Sequence, residues 1–234
     1  NIVIDGHCEA SQIEAGGDVI IRKGCQGKGL GKIIAGKSIV GQFFESAVLT
    51  AGKDVQATYL LNCQLKANGK LLVEGRKGVI IGGKTCAKLG ISCNGIGNIA
   101  EIATVVSVGI DKEDMTAYQE LQKKIEQTQA ELQTCENGLN KLMANPVHDE
   151  KVSMMIQRLT RAVYTLKSSR KELFSERNAQ MEQMTKQKEA RIQVSGRAYP
   201  GTLLFLNEDP FAIKEIYNNV EFVKHDNRID TLAH

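Results

Sequence analysis

Tryptophan is absent from this chain of 234 residues, and aromatic side chains make up 5% of it. Proteins that grip single-stranded nucleic acid use aromatic faces as stacking platforms, so that class is disfavoured at the outset. No run of about 18 apolar residues occurs, which excludes a transmembrane helix, and no basic-then-apolar leader is present. An excess of one charge is missing too. The 30 basic and 27 acidic side chains give no general pull on nucleic acid or membrane. The six cysteines (Cys8, Cys25, Cys63, Cys86, Cys93, Cys135) lack Cys-x-x-Cys spacing, so paired zinc ligands are not expected. Without a leader a disulfide scaffold is not expected either, and the cysteines read as reduced thiols of a cytoplasmic protein. The chain opens at Asn1 rather than Met, so a longer polypeptide is expected.

What is present is a repeat. IEAGGDVII from Ile13, IIAGKSIVG from Ile33, LTAGKDVQA from Leu49 and LKANGKLLV from Leu65 share one pattern. Each has a branched apolar residue, a small residue, a turn and a further apolar pair. The small residues Ala15, Ala35, Ala51 and Ala67 are roughly 20, 16 and 16 positions apart, the range of a solenoid unit. Alternation within each unit suits strands with one face inward. Sixteen extended residues trace at most about 55 Å, enough for a narrow coil of two or three short strands. Stacking such coils about 4.8 Å apart puts Ala15, Ala35, Ala51 and Ala67 in one interior column. Val19, Ile39, Val55 and Leu71 fall in another. The expected object is a parallel β-helix of six or seven rungs.

Three regions follow from composition. Residues 1–111 are rich in glycine and β-branched side chains and read as the β-helix. Residues 112–190 nearly lose glycine and are dominated by helix formers. Tyr118, Leu121, Ile125, Thr128, Leu132, Cys135, Leu139 and Leu142 step by threes and fours, the seam of a coiled coil. Asn145-Pro146 stops that helix, and a second stripe runs through Val152, Ile156, Leu159, Val163, Leu166, Arg170 and Leu173 to Met181 and Met184. Two such arms fold back as an antiparallel hairpin inserted into the β body. Residues 191–234 return to strand chemistry, with a Pro200-Gly201 turn and an apolar run from Leu203 to Leu206. Asp209-Pro210 also has the chemistry to open a helix through Tyr217; strands are the preferred reading.

Several motifs invite a functional reading. GVIIGGKT, Gly78 to Thr85, matches the phosphate-loop pattern, and VVSVGID up to Asp111 imitates its partner motif. That chemistry needs a loop followed at once by a helix pointing at the anion. Val79, Ile80 and Ile81 instead belong in a strand, and Gly90, Gly95 and Gly97 spoil any helix after Thr85, so a β-helix corner is expected. GKGLGK, Gly27 to Lys32, has amides and lysines able to hold an anion, yet reads better as a longer corner loop. Asp18 and Asp54 fall at equivalent repeat positions, about 10 Å apart if stacked two rungs away. That spacing approaches an inverting glycosidase pair, although the context is that of turn residues. The histidines (His7, His148, His225, His234) are scattered, and His148 falls in the hairpin turn. No catalytic, cofactor-binding or metal-binding residue is assigned.

Taken in order, the repeats, GVIIGGKT, VVSVGID, the charged helical hairpin and AYPGT resemble the bacterial flagellar assembly protein A family. The resemblance runs from about Ile2 to Leu232. It implies a right-handed parallel β-helix interrupted by a helical hairpin, a corner at Gly82 and Gly83, and a further N-terminal domain. No catalytic residues come with it. The expected function is a non-enzymatic cytoplasmic scaffold linked to flagellar assembly or cell-surface organisation. Protein partners are expected at the hairpin, with self-association and with neither nucleic acid nor membrane insertion. A carbohydrate-active or carbohydrate-binding β-helix protein is the alternative, and a nucleotide-binding protein built on Gly78–Thr85 the third reading.

Overall fold

A computed structural model describes residues 1–75, 78–144, 149–226 and 228–233. By contacts the chain divides into two units: Asn1–Asp111 with Thr185–His234, and Lys112–Met184. The first is mainly β, and its strands stack in parallel as three ladders. One ladder runs through 2–4, 19–21, 39–41, 55–57, 71–73, 91–93 and 192–194. A second runs through 7–9, 24–26, 43–45, 59–61, 79–81, 95–96 and 197–198. The third runs through 12–15, 32–35, 48–51, 64–67, 84–87, 104–108 and 202–206. One passage through all three is one turn of a β-solenoid. Five turns span Ile2 to Ala87, 91–108 adds another, and 192–206 stacks on that.

The interior is made of columns of matched residues. Ala15, Ala35, Ala51, Ala67 and Ala87 are register partners in the third ladder, and all are buried. Val19, Ile39, Val55, Leu71, Ile91 and Ile192 form a column in the first ladder with almost no exposure. Both columns stand where the repeat spacing puts them. Phe44 is the largest fully buried side chain of the second ladder's inner column, and its ring lies where a Cβ on Gly41 would clash. Volume added in one ladder is removed from its neighbour, as close packing requires.

The corners have their own rules. Between the second and third ladders the chain bends through the left-handed region, at Ala10, Ser46 and Asn62 on three of the turns and at the Gly82-Gly83 pair on a fourth. Between the third and first ladders the turns hold each other through side chains. Asn1 Oδ1 accepts from the Asp18 amide at 2.8 Å, Asp18 Oδ1 from Ser38 at 3.0 Å, and Asp54 Oδ1 from Lys70 at 2.7 Å. Asp and Asn recur there because a short acceptor satisfies the amide of a neighbouring turn.

The two ends of the solenoid differ. Among the described residues, strands 2–4, 7–9 and 12–15 pair only with the turn after them, and Ile2, Ile4 and Ile13 are partly buried. At the other end, 209–212 and 217–225 return antiparallel to 203–206 and 192–198. Arg228–Ala233 then pairs antiparallel with 220–225. Phe222 is fully buried, with Phe211 at 5.5 Å and Tyr217 at 5.7 Å between ring centroids. The segment after Asp209-Pro210 is therefore strand, not helix.

The second unit is built from two helices, α1 (Lys112–Met143) and α2 (Glu150–Lys188). Arg170 Nη1 donates to Gln129 Oε1 at 2.9 Å, and Lys167 Nζ lies 2.8 Å from Glu136 Oε1. Residue numbers fall on one helix as they rise on the other, so the pair is hairpin-like. Asp149 caps α2, its Oδ1 accepting from the Val152 amide at 2.8 Å. Leu121, Ile125, Leu132 and Val163 are buried in the pair. The expected inner stripe holds up to Leu173 and then needs correction. Met181 is 57% exposed, whereas Arg177 and Gln180 are half-buried, so the strict three–four step continues 173, 177, 180, 184. Hydrophobicity drew the stripe to Met181; geometry keeps it on the polar neighbour. The turn expected at Asn145-Pro146, with His148, lies outside the described residues, as does His234.

Candidate functional site

The phosphate-loop match resolves into strand and corner. Val79–Ala87 is one β-strand, with no helix after Thr85. Gly82 and Gly83 take φ of 69° and 72°. A Cβ on Gly83 would lie 2.1 Å from the carbonyl oxygen of Cys63, and one on Gly82 2.0 Å from Asn62 Oδ1. The glycines serve a left-handed bend and close contact with the preceding turn. The Gly82 amide donates to Thr104 Oγ1 at 2.9 Å, so it points at protein. Lys84 is exposed on the strand's outer face, and Thr85 is buried inside with no hydrogen-bond partner for its hydroxyl among the described residues. Loop, lysine and hydroxyl do not converge on one anion.

The other sequence candidates are also brought into structural roles. Asp18 and Asp54 each spend an oxygen on an adjacent turn's amide, as described above. Gly27–Lys32 is a widened corner where the register shifts between Gln26 and Gly31, and Lys28 pairs with Glu9 at 2.7 Å. That bond and its charge hold the Glu9 carboxyl below the ordinary range. His7 stands 3.8 Å from Glu9, and His225 Nδ1 3.1 Å from Asp230, at separate places in the fold.

All six cysteines are free thiols. Burial pushes the Cys25 thiol up to about 11, with Cys8 and Cys63 adding to the shift, and pushes Cys93 up to about 12. Burial also raises Cys8, Cys63 and Cys86. Thiols held in the neutral form are poor nucleophiles, and the buried Cys8, Cys25, Cys63 and Cys93 serve as small core residues, while Cys86 is only half-buried.

Two arrangements escaped the sequence reading. Asp111 Oδ2 lies 3.7 Å from Lys66 Nζ and 3.8 Å from the largely buried Lys88 Nζ, an ion triad drawn from three turns. Asn207 closes the site where the chain leaves the solenoid and re-enters it. Its Oδ1 accepts from the Ile110 amide at 2.9 Å and its Nδ2 donates to the Lys188 carbonyl at 3.2 Å. Gly109, at φ 89°, leaves the room that Asn207 fills, since a Cβ there would sit 2.1 Å from Oδ1. The available signal was an Asn directly after an apolar strand, at the rung matching Val108-Gly109.

The remaining surface with functional character is the outside of the helical pair. Met154, Met155, Tyr164 and Met181 are exposed there, and no described helix is long and apolar enough to cross a membrane. The arrangement offers contact area rather than reacting groups.

Comparison with known proteins agrees with this picture. The family model described as the flagellar assembly protein A beta solenoid domain matches residues 1–229, and the chain belongs to that family. No curated protein and no solved structure matches the chain.

Proposed function

We propose that this member of the flagellar assembly protein A family is a non-enzymatic cytoplasmic scaffold that contributes to flagellar assembly through its helical pair. The reading rests on one observation. The 32- and 39-residue helices bury a narrow inner stripe and leave Met154, Met155 and Tyr164 exposed on the outside. Long exposed helices of that kind suit recognition by partner segments. The strictly spaced stripe supports an antiparallel coiled coil. Parallel strand connections are right-handed in about 98% of cases, which supports a right-handed solenoid.

Self-association is part of the proposal. The first turn carries three strands paired on one side only, a template for another strand, and its half-buried isoleucines favour cover. Sedimentation over a wide concentration range tests this, and a strict monomer throughout overturns it. Neither nucleic acid nor membrane insertion forms part of the function.

Replacing 112–184 by a short Gly-Ser linker tests the scaffold reading, since the Ile110 and Lys188 backbones meet on the one Asn207 carboxamide. The replaced protein is expected to keep its β signature by circular dichroism and to fail in supporting flagellar assembly in cells. Normal assembly with the linker overturns the reading.

A further inference from the structure

Helix α2 has a lopsided charge pattern. Between 151 and 171 it contains six cations (Lys151, Arg158, Arg161, Lys167, Arg170 and Lys171) and no Asp or Glu. Two of them face α1: Lys167 pairs with Glu136, and Arg170 donates to Gln129. The other four are exposed and make no ion pair among the described residues. Spaced by three or four residues as far as Tyr164 and then by seven, they interleave along the outer side with two bulky side chains, giving Lys151, Met154, Arg158, Arg161, Tyr164 and Lys171. Met154 is 51% exposed and Tyr164 79%. Arg, Tyr and Met are the residue types most enriched in protein–protein contacts, and a row of unopposed cations on one helix face calls for acids opposite.

We propose that this outer face of α2 is the docking surface for an acidic amphipathic segment of a partner protein. The proposal rests on the scaffold reading and names the partner's chemistry. Its carboxylates meet Arg158 and Arg161, while an apolar side chain packs against Met154 and the Tyr164 ring. A second copy of this chain fits less well, because the outward positions of α1 carry Lys123 between Glu120 and Glu126 and offer no acidic row. An anionic membrane fits less well too. Interfacial helices bury a broad apolar face, whereas here Met154, Met155 and Tyr164 stand among Lys151, Arg158 and Arg161.

The test uses the full chain and a fluorescein-labelled, glutamate-rich amphipathic peptide of about 20 residues. Arg158→Glu with Arg161→Glu is compared with Lys37→Glu and Lys53→Glu, two exposed lysines on successive solenoid turns carrying the same change of charge. The α2 pair is expected to weaken binding at least tenfold, Tyr164→Ala about fivefold, and the solenoid pair by less than about twofold. Circular dichroism should show unchanged helix content, since the two arginine side chains make no hydrogen bond or ion pair among the described residues. Equal loss from both pairs overturns the proposal, and so does absence of peptide binding by the parent at physiological salt. Tighter binding of duplex DNA or phosphatidylglycerol vesicles, lost with the α2 pair, assigns the face to phosphates and overturns it as well. The two readings fail separately. If the 112–184 linker replacement abolishes assembly while Arg158→Glu/Arg161→Glu supports it, only the docking face is wrong.

Discussion

The side chain of Asn207 accepts the Ile110 amide at 2.9 Å, one turn of the solenoid reaching across to hold the place where the chain departs into its helices. The same carboxamide donates to the Lys188 carbonyl, where the chain returns. Asn207 itself has φ of 51°, a conformation Asn adopts more readily than most residues. Asn207→Ala is therefore expected to destabilise by about 1–3 kcal/mol, from two lost hydrogen bonds and a strained backbone. Asn207→Gly keeps the backbone relaxed and should cost less. Urea unfolding separates the two contributions, and hydrogen exchange at the Ile110 amide should quicken in both variants.

Gly83 and Lys84 discriminate corner from nucleotide site. Gly83→Ala drives a Cβ into the Cys63 carbonyl at a φ of 72° and is expected to cost more than about 2 kcal/mol. Lys84→Ala, on the exposed face, should stay within about 0.5 kcal/mol. Titration of ATP with magnesium into the parent should give no heat. Saturable heat lost in Lys84→Ala would restore the phosphate-loop reading.

Thr85 stands in an interior column between Leu65 and Val106, its hydroxyl without a partner among the described residues. Valine has nearly the same shape and no polar atom to desolvate. Thr85→Val is expected to stabilise by about 1 kcal/mol, read as a higher midpoint in urea at constant slope.

The helical stripe predicts an unequal pair. Leu132 is almost wholly buried, and Leu132→Ala should cost about 2–4 kcal/mol. Met181→Ala should lie within about 0.5 kcal/mol, because that side chain stands outside the stripe. A large loss at Met181 would mean that the hydrophobic, and not the geometric, continuation of the stripe is right.

Alkaline pH should weaken the fold through Cys93. Burial pushes its folded thiol up to about 12, from 9.0 for an ordinary cysteine, so the unfolded chain ionises first. The contribution is intact below about pH 9 and is lost as pH climbs toward 12, by about 1.4 kcal/mol per unit. Cys93→Ala should flatten this part of the pH–stability curve. A curve unchanged by the substitution would place the alkaline loss elsewhere.

How much of this was legible differs by element. The alanine and valine columns stand at the predicted register because a strand's side-chain period is two and the repeat fixes the phase. A single slipped residue would have turned Ala35 and Ile39 outward. The stripe through Leu132 was legible for the same reason, a short period over many residues. It drifted at Met181 because sequence alone weighs hydrophobicity more heavily than phase.

The repeat by itself thus determined the stacked β architecture and the inner columns through local spacing, and the β-branched Val79, Ile80 and Ile81 marked the strand within Gly78–Thr85. The tertiary structure decided the rest. It set three ladders where the repeat length allowed two or three, assigned Asp18 and Asp54 to corner bonds, joined Asp111 to Lys66 and Lys88, and brought Asn207 to Ile110 across 97 residues. The Asp111 triad and the Asn207 bonds carry no periodic mark, because each is made once, by residues whose meeting depends on how many turns lie between them.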